Sequence, residues 1–148
     1  MTAGGAGHLV RRFVTSLSRR EPDADDERWA RSHLGPGEVE LWARMAAPDR
    51  RHAVTVARRF VALRGGATPA EVAGALLHDV GKVESGLGVA GRVVATVVGP
   101  RTARFRTYHD HEAIGAGLAA ERGSDPVTVA LIRDEGPAAA ALRAADDV

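Results

Sequence analysis

Four side chains in this sequence, His52, His78, Asp79 and Asp146, form a candidate donor set for a divalent cation. Neutral imidazole nitrogen and carboxylate oxygen suit borderline and hard ions such as Mn, Fe, Co, Ni, Zn or Mg. Neighbours on a helix diverge by about 100°, so His78 and Asp79 can clasp one ion only from two sides, and other elements must complete the set. His52 shares an apolar stripe with Val56, Phe60 and Leu63, and Asp146 lies near the end of the last helical segment. Taken singly these residues carry little. A lone histidine on an apolar stripe is more often a hydrogen-bonded core residue than a ligand, and acidic residues near a chain end are usually solvated. Asp79 is different, because a negative charge near a helix C-terminus opposes the macrodipole and a bound cation would offset it.

The elements that must position these groups read as helices. Pro48-Asp49 opens one that runs to about Leu63. Thr68-Pro69-Ala70-Glu71 is a strong helix start: Thr68 can cap, Pro69 suits the first turn and Glu71 completes a capping box. That helix is expected to carry Val72, Ala75, Leu76 and Leu77 through His78-Asp79-Val80 and to stop at Gly81. Further helices are expected over His8–Arg20, Asp25–Leu34, Gly37–Met45, Gly88–Val98 and His111–Arg122, then from Asp125-Pro126 to Arg133 and from Pro137 to Asp146. The four valines of the 88–98 segment favour a strand on propensity, but its length and surroundings suit a buried helix better. The fold class is therefore all-α, a compact bundle of about seven or eight helices.

Composition bounds the function. The sequence of 148 residues is 45% apolar, enough for one core, and has no cysteine, so disulfides and thiolate metal sites are excluded. No apolar run approaches the length that spans a bilayer, and residues 1–7 are small and Gly-rich rather than signal-like, so a soluble, cytoplasmic protein is expected. A net charge of +1 provides no general attraction for nucleic acid. The basic face of the 8–20 segment reads as a solvated helix face rather than a membrane or nucleic-acid surface. Nineteen of the 20 basic residues are arginine; the exception is Lys82, just beyond His78-Asp79. Where nearly every basic position is arginine, a retained lysine points to a need for a compact ammonium.

Together these residues resemble a family. His78-Asp79-Val80-Gly81-Lys82, preceded by an Ala/Leu-rich helix and by His52 in Arg50-Arg51-His52-Ala53-Val54, is similar to the signature of HD-domain metal-dependent phosphohydrolases. His111-Glu112-Ala113-Ile114-Gly115-Ala116 resembles the family's His-x-x-Ile-Gly-Ala segment, and Arg143-Ala144-Ala145-Asp146 its closing Ala-Asp, with Asp147 an alternative last ligand. The resemblance spans roughly residues 48–147. It implies an HD domain over 48–148, with residues 1–47 as an extension whose helices pack on it.

The resemblance also implies a chemistry. One divalent ion held by His52, His78, Asp79 and Asp146 would lower the pKa of a bound water and polarise a phosphoryl oxygen. Asp79 would also orient that water, and Lys82 would meet the phosphate; the alternative for Lys82 is a salt bridge to a helix carboxylate or a capping role. Arg51 is a second phosphate contact, and Glu84 and Glu112 are candidate proton-transfer groups. Members with two metals add histidines further on, but Leu131-Ile132-Arg133-Asp134-Glu135-Gly136 has none, which points to one metal. His111 is then expected to face substrate or to support the ligands from behind. His109 and Asp110 have no role in this reading, and His8 and His33 are surface residues. The expected function is hydrolysis of a small phosphorylated molecule, for instance a nucleotide. The alternative is a non-catalytic HD module that binds a nucleotide or protein partner. Trp29 and Trp42 read as aromatic anchors of the extension, with a homo-oligomer contact as the alternative.

Overall fold

The computed structural model describes residues 20–85 and 111–147. The helices expected over 8–20 and 88–98, His8, His109 and Asp110, and the side chain of Glu84 lie outside the described residues. Within them the chain forms seven α-helices and one 3-10 helix, with no strand, in agreement with the all-α expectation. The helices are α1 (Ala24–Ser32), α2 (Pro36–Arg44), α3 (Ala47–Arg64), α4 (Pro69–Leu77), α5 (His111–Glu121), α6 (Pro126–Ile132) and α7 (Ala139–Asp146), with the 3-10 helix at Val80–Ser85 between α4 and α5.

Helix starts follow local chemistry. Asp23 accepts a hydrogen bond from the Asp26 amide at 2.8 Å and caps α1, and Asp125 does the same for Val127 at the start of α6. At α4 the Thr68 hydroxyl accepts from the Glu71 amide at 3.2 Å while the Glu71 carboxylate accepts from the Thr68 amide at 3.0 Å, a complete capping box. The second Glu71 oxygen takes Arg64 Nη2 at 3.1 Å, which ties the end of α3 to the start of α4.

Helix α4 is the centre of the bundle, buried along its length from Glu71 to Leu77. It packs on α6 and α3; α3 packs in turn on α7, and α5 lies against both α6 and the 3-10 helix. The core gathers Leu41, Trp42, Phe60, Leu76, Leu77, Leu131 and Ile132 into one cluster, so the residues before position 48 share it with those after. Trp42 is fully buried with its indole N–H donating to Glu27 at 3.0 Å, and the Arg58 guanidinium stacks 4.4 Å from the Trp29 ring. None of the helices among the described residues is long and apolar enough to cross a membrane.

One boundary departs from expectation. The α-helix ends at Leu77, not beyond Asp79; His78 and Asp79 occupy a turn and Val80 starts a tighter 3-10 segment. Two features account for it. The Lys82 amide donates to the Asp79 carbonyl at 3.1 Å, an i to i+3 bond that tightens the chain. Gly81 is also pressed against α5, where a Cβ would fall 1.9 Å from the His111 carbonyl oxygen. The close approach sets Val80 and Gly81 against Gly115 and brings the start of α5 beside Asp79.

Candidate metal centre

Three elements that are distant in sequence deliver the donors. His52 projects from α3, His78 from the turn after α4, and Asp146 from the last residue of α7. One ligand atom of each lies within 4.8 Å of the others. His52 Nε2 is 2.8 Å from Asp146 Oδ1, which is 3.6 Å from His78 Nε2. Donors sharing an ion at about 2.1 Å stand roughly 3 Å apart in neighbouring positions and about 4 Å apart in opposite ones. The observed separations match that spacing.

His78 is prepared as a ligand by the backbone beneath it. Its Nδ1 lies 2.7 Å from the Ala75 carbonyl oxygen, so Nδ1 carries the hydrogen and donates it. Ala75 is in the last turn of α4, where carbonyls lack a helical amide partner. The ring therefore caps the helix and fixes its own orientation with one bond, leaving Nε2 aimed at the cluster. Nε2 is buried and has no hydrogen-bond partner among the described residues. A buried nitrogen in that position costs about 1–3 kcal/mol unless something occupies it. A cation between His52, His78 and Asp146 meets that need, so the donor set fits a divalent ion.

Asp79 has a different place from the other three. Its Oδ2 is 3.5 Å from His78 Nε2 and 2.9 Å from Lys82 Nζ, and its Oδ1 is 3.3 Å from His111 Nε2. It lies beside the three-donor group and joins the centre to Lys82 and His111. Lys82 thus forms a salt bridge to a carboxylate, one of the two roles left open for it, while its side chain also lines the adjoining cavity. His111, the first residue of α5, supports Asp79. Of the two terminal acids Asp146 faces the cluster and Asp147 is exposed.

The electrostatics favour a positive charge at the centre. Burial disfavours charging His78, but Asp79 and Asp146 outweigh it and raise the ring to about 9. Burial also works against ionised Asp79, yet His78, Lys82 and His111 hold it well below the usual carboxylate range. Asp146 is likewise held low against its burial, through His52 and His78. Two ionised carboxylates therefore face one imidazole nitrogen, which will carry a proton or a metal.

The centre opens into a cavity of about 1200 Å³. Arg51, Lys82, His111 and Glu112 line it, as do Thr55 and Arg59 from the next two turns of α3, which no sequence motif marks. The signal for those two was present in the helical spacing from His52. The Ala75 carbonyl had none, because a backbone partner is invisible in residue types. No protein-family model, curated protein or solved structure matches this chain.

Proposed function

We propose that this chain is a metal-dependent phosphohydrolase of HD-domain type, acting in the cytoplasm on a small phosphorylated molecule such as a nucleotide. The observation that carries the reading is the buried Nε2 of His78, beyond hydrogen-bond distance of any described residue yet set among His52, Asp146 and Asp79. His52, His78 and Asp146 would hold one divalent ion, with Asp79 alongside. When bound, the ion supplies Lewis-acid polarisation of a phosphoryl oxygen and acidification of water. The chain's own contribution is placement. Lys82 stands at the cavity edge of the centre, where its ammonium can neutralise phosphate charge while bridging Asp79. Arg51, next to His52, lines the same opening and offers a forked donor to a phosphate. Asp79, kept ionised by its neighbours, can accept a hydrogen bond from a water at its Oδ atoms and so orient it, and His111 steadies it there.

Metal content of protein purified without chelator tests the first half. Wild type should retain close to one equivalent of a divalent metal, His78→Ala none and Asp79→Ala less than wild type; equal trace metal in all three would sink the proposal. Hydrolysis of a panel of phosphate esters with added Mn²⁺ tests the second half. Metal binding without turnover of any ester would transfer the site to the alternative, a module that binds a nucleotide or partner without catalysis.

A further inference from the structure

The loop between α6 and α7 borders the cavity, and one of its residues has an unusual backbone. Among the described residues Asp134 is the one non-glycine with a positive φ, at 62°. It stands just past the end of α6, where the Glu135 amide donates to the Ala130 carbonyl at 2.9 Å and the Asp134 amide to the Leu131 carbonyl at 3.0 Å. Those two bonds close a Schellman motif, whose left-handed position usually holds glycine. Aspartate tolerates that conformation better than most residues with a Cβ, but glycine meets no penalty there. Aspartate at this point calls for a use of its side chain, and the side chain accepts a hydrogen bond from Arg143 Nη1 as its ion-pair partner. The Asp134 and Arg143 side chains are 39% and 56% exposed, so the pair adds little to stability. Its effect is to fix the direction of a guanidinium.

Arg143 precedes Asp146 by three residues on α7, a spacing that puts both on one helix face with their Cβ atoms about 5–6 Å apart. Asp134, Arg143 and Asp146 line the cavity together with His52 and His78. The same arrangement repeats around the centre. Helix α3 brings Arg51 beside His52, the segment after α4 brings Lys82 beside His78 and Asp79, and α7 brings Arg143 beside Asp146. Each element that supplies a metal donor thus supplies a cation next to it. We infer that Arg143 holds the phosphoryl group of the bound molecule from the α7 side, and that Asp134 is a positioning residue that aims it. The ion pair is part of this device: Asp134 engages one of five guanidinium N–H groups, and others can fork onto phosphoryl oxygens. The inference rests on the proposed phosphohydrolase reading, because it takes a phosphoryl group to occupy the centre.

Phenylphosphonate, which carries the charge of a phosphate ester but no hydrolysable bond, would be titrated calorimetrically into the Mn²⁺-loaded full chain. Arg143→Gln should weaken binding about tenfold, the worth of one charge-assisted contact. Asp134→Gly should weaken it about fivefold, since the freed arginine must be ordered on binding, at a melting temperature no lower than wild type. Asp134→Asn, whose side-chain oxygen can still accept from Arg143, should bind better than Asp134→Gly. Arg133→Ala, at an exposed arginine outside this cavity, should bind as wild type does, and metal content should be the same in all. Wild-type affinity in Arg143→Gln or Asp134→Gly overturns the inference, as does a lower melting temperature in Asp134→Gly or equal weakening in Arg133→Ala. So does binding by Asp134→Asn no better than by Asp134→Gly. Each of these leaves the phosphohydrolase reading standing, whereas failure of wild type to bind phenylphosphonate at all overturns both.

Discussion

At His78 the proton and the metal want the same nitrogen. The ring's pKa of about 9 means that below this value the Nε2 lone pair is occupied by hydrogen in metal-free protein. Apparent metal affinity should therefore rise by about tenfold per pH unit up to about pH 9 and then level, measurable by competition against a chromophoric chelator. A second consequence concerns stability without metal. A histidine whose folded value is raised stabilises the fold fully below its unfolded pKa of 6.5, and that contribution is lost as pH rises through the folded value. In EDTA the melting temperature should fall between pH 6.5 and about 9, and His78→Ala should flatten that slope. A slope that is unchanged in the variant would place the titrating group elsewhere.

At the scale of elements, two junctions hold the site in place. The first is the approach of the 3-10 helix to α5, where Gly81 meets backbone rather than the end of a flexible side chain. Gly81→Ala cannot be absorbed by a rotamer change. It should destabilise the fold by more than about 2 kcal/mol in denaturant titration, in line with overpacking of a tight contact, and separate His111 from Asp79. The second junction is the capping box of α4. Thr68→Ala should cost about 1 kcal/mol. Glu71 is held below its usual pKa by the Thr68 amide and, against the effect of burial, by Arg64. Its stabilising contribution is present above its unfolded pKa of 4.5 and lost as pH falls through the folded value. Glu71→Gln should therefore lose stability at pH 7 and lose progressively less as pH falls below 4.5.

These junctions also show what a sequence can and cannot disclose. The start of α4 was legible because Thr68, Pro69 and Glu71 encode it within four residues. Its end was not, since the helix stops where the His78 ring takes a backbone carbonyl and where Gly81 meets a segment thirty residues later. His52, His78 and Asp146 were legible as a set through their types and order. The sideways role of Asp79 was not, as it depends on Lys82 and His111 arriving from two directions.

For the molecule as a whole, the centre joins α3, the turn after α4 and α7, whose buried apolar residues belong to one core. Metal binding to the folded state alone should raise its stability by about 2.7 kcal/mol at a free concentration one hundred times the Kd. That increment should appear as a higher melting temperature with added Mn²⁺ in wild type and be absent in Asp146→Ala. The pairing of His52 with Asp146 also spans 94 residues of chain. Closing so long a loop carries an entropic cost that disfavours the contact early in folding. An ion bound there would strengthen an interaction absent from the folding transition state. In stopped-flow measurements Mn²⁺ should leave the refolding rate of this protein nearly unchanged and slow its unfolding, so that the metal acts as a latch on a finished fold rather than a nucleus for it.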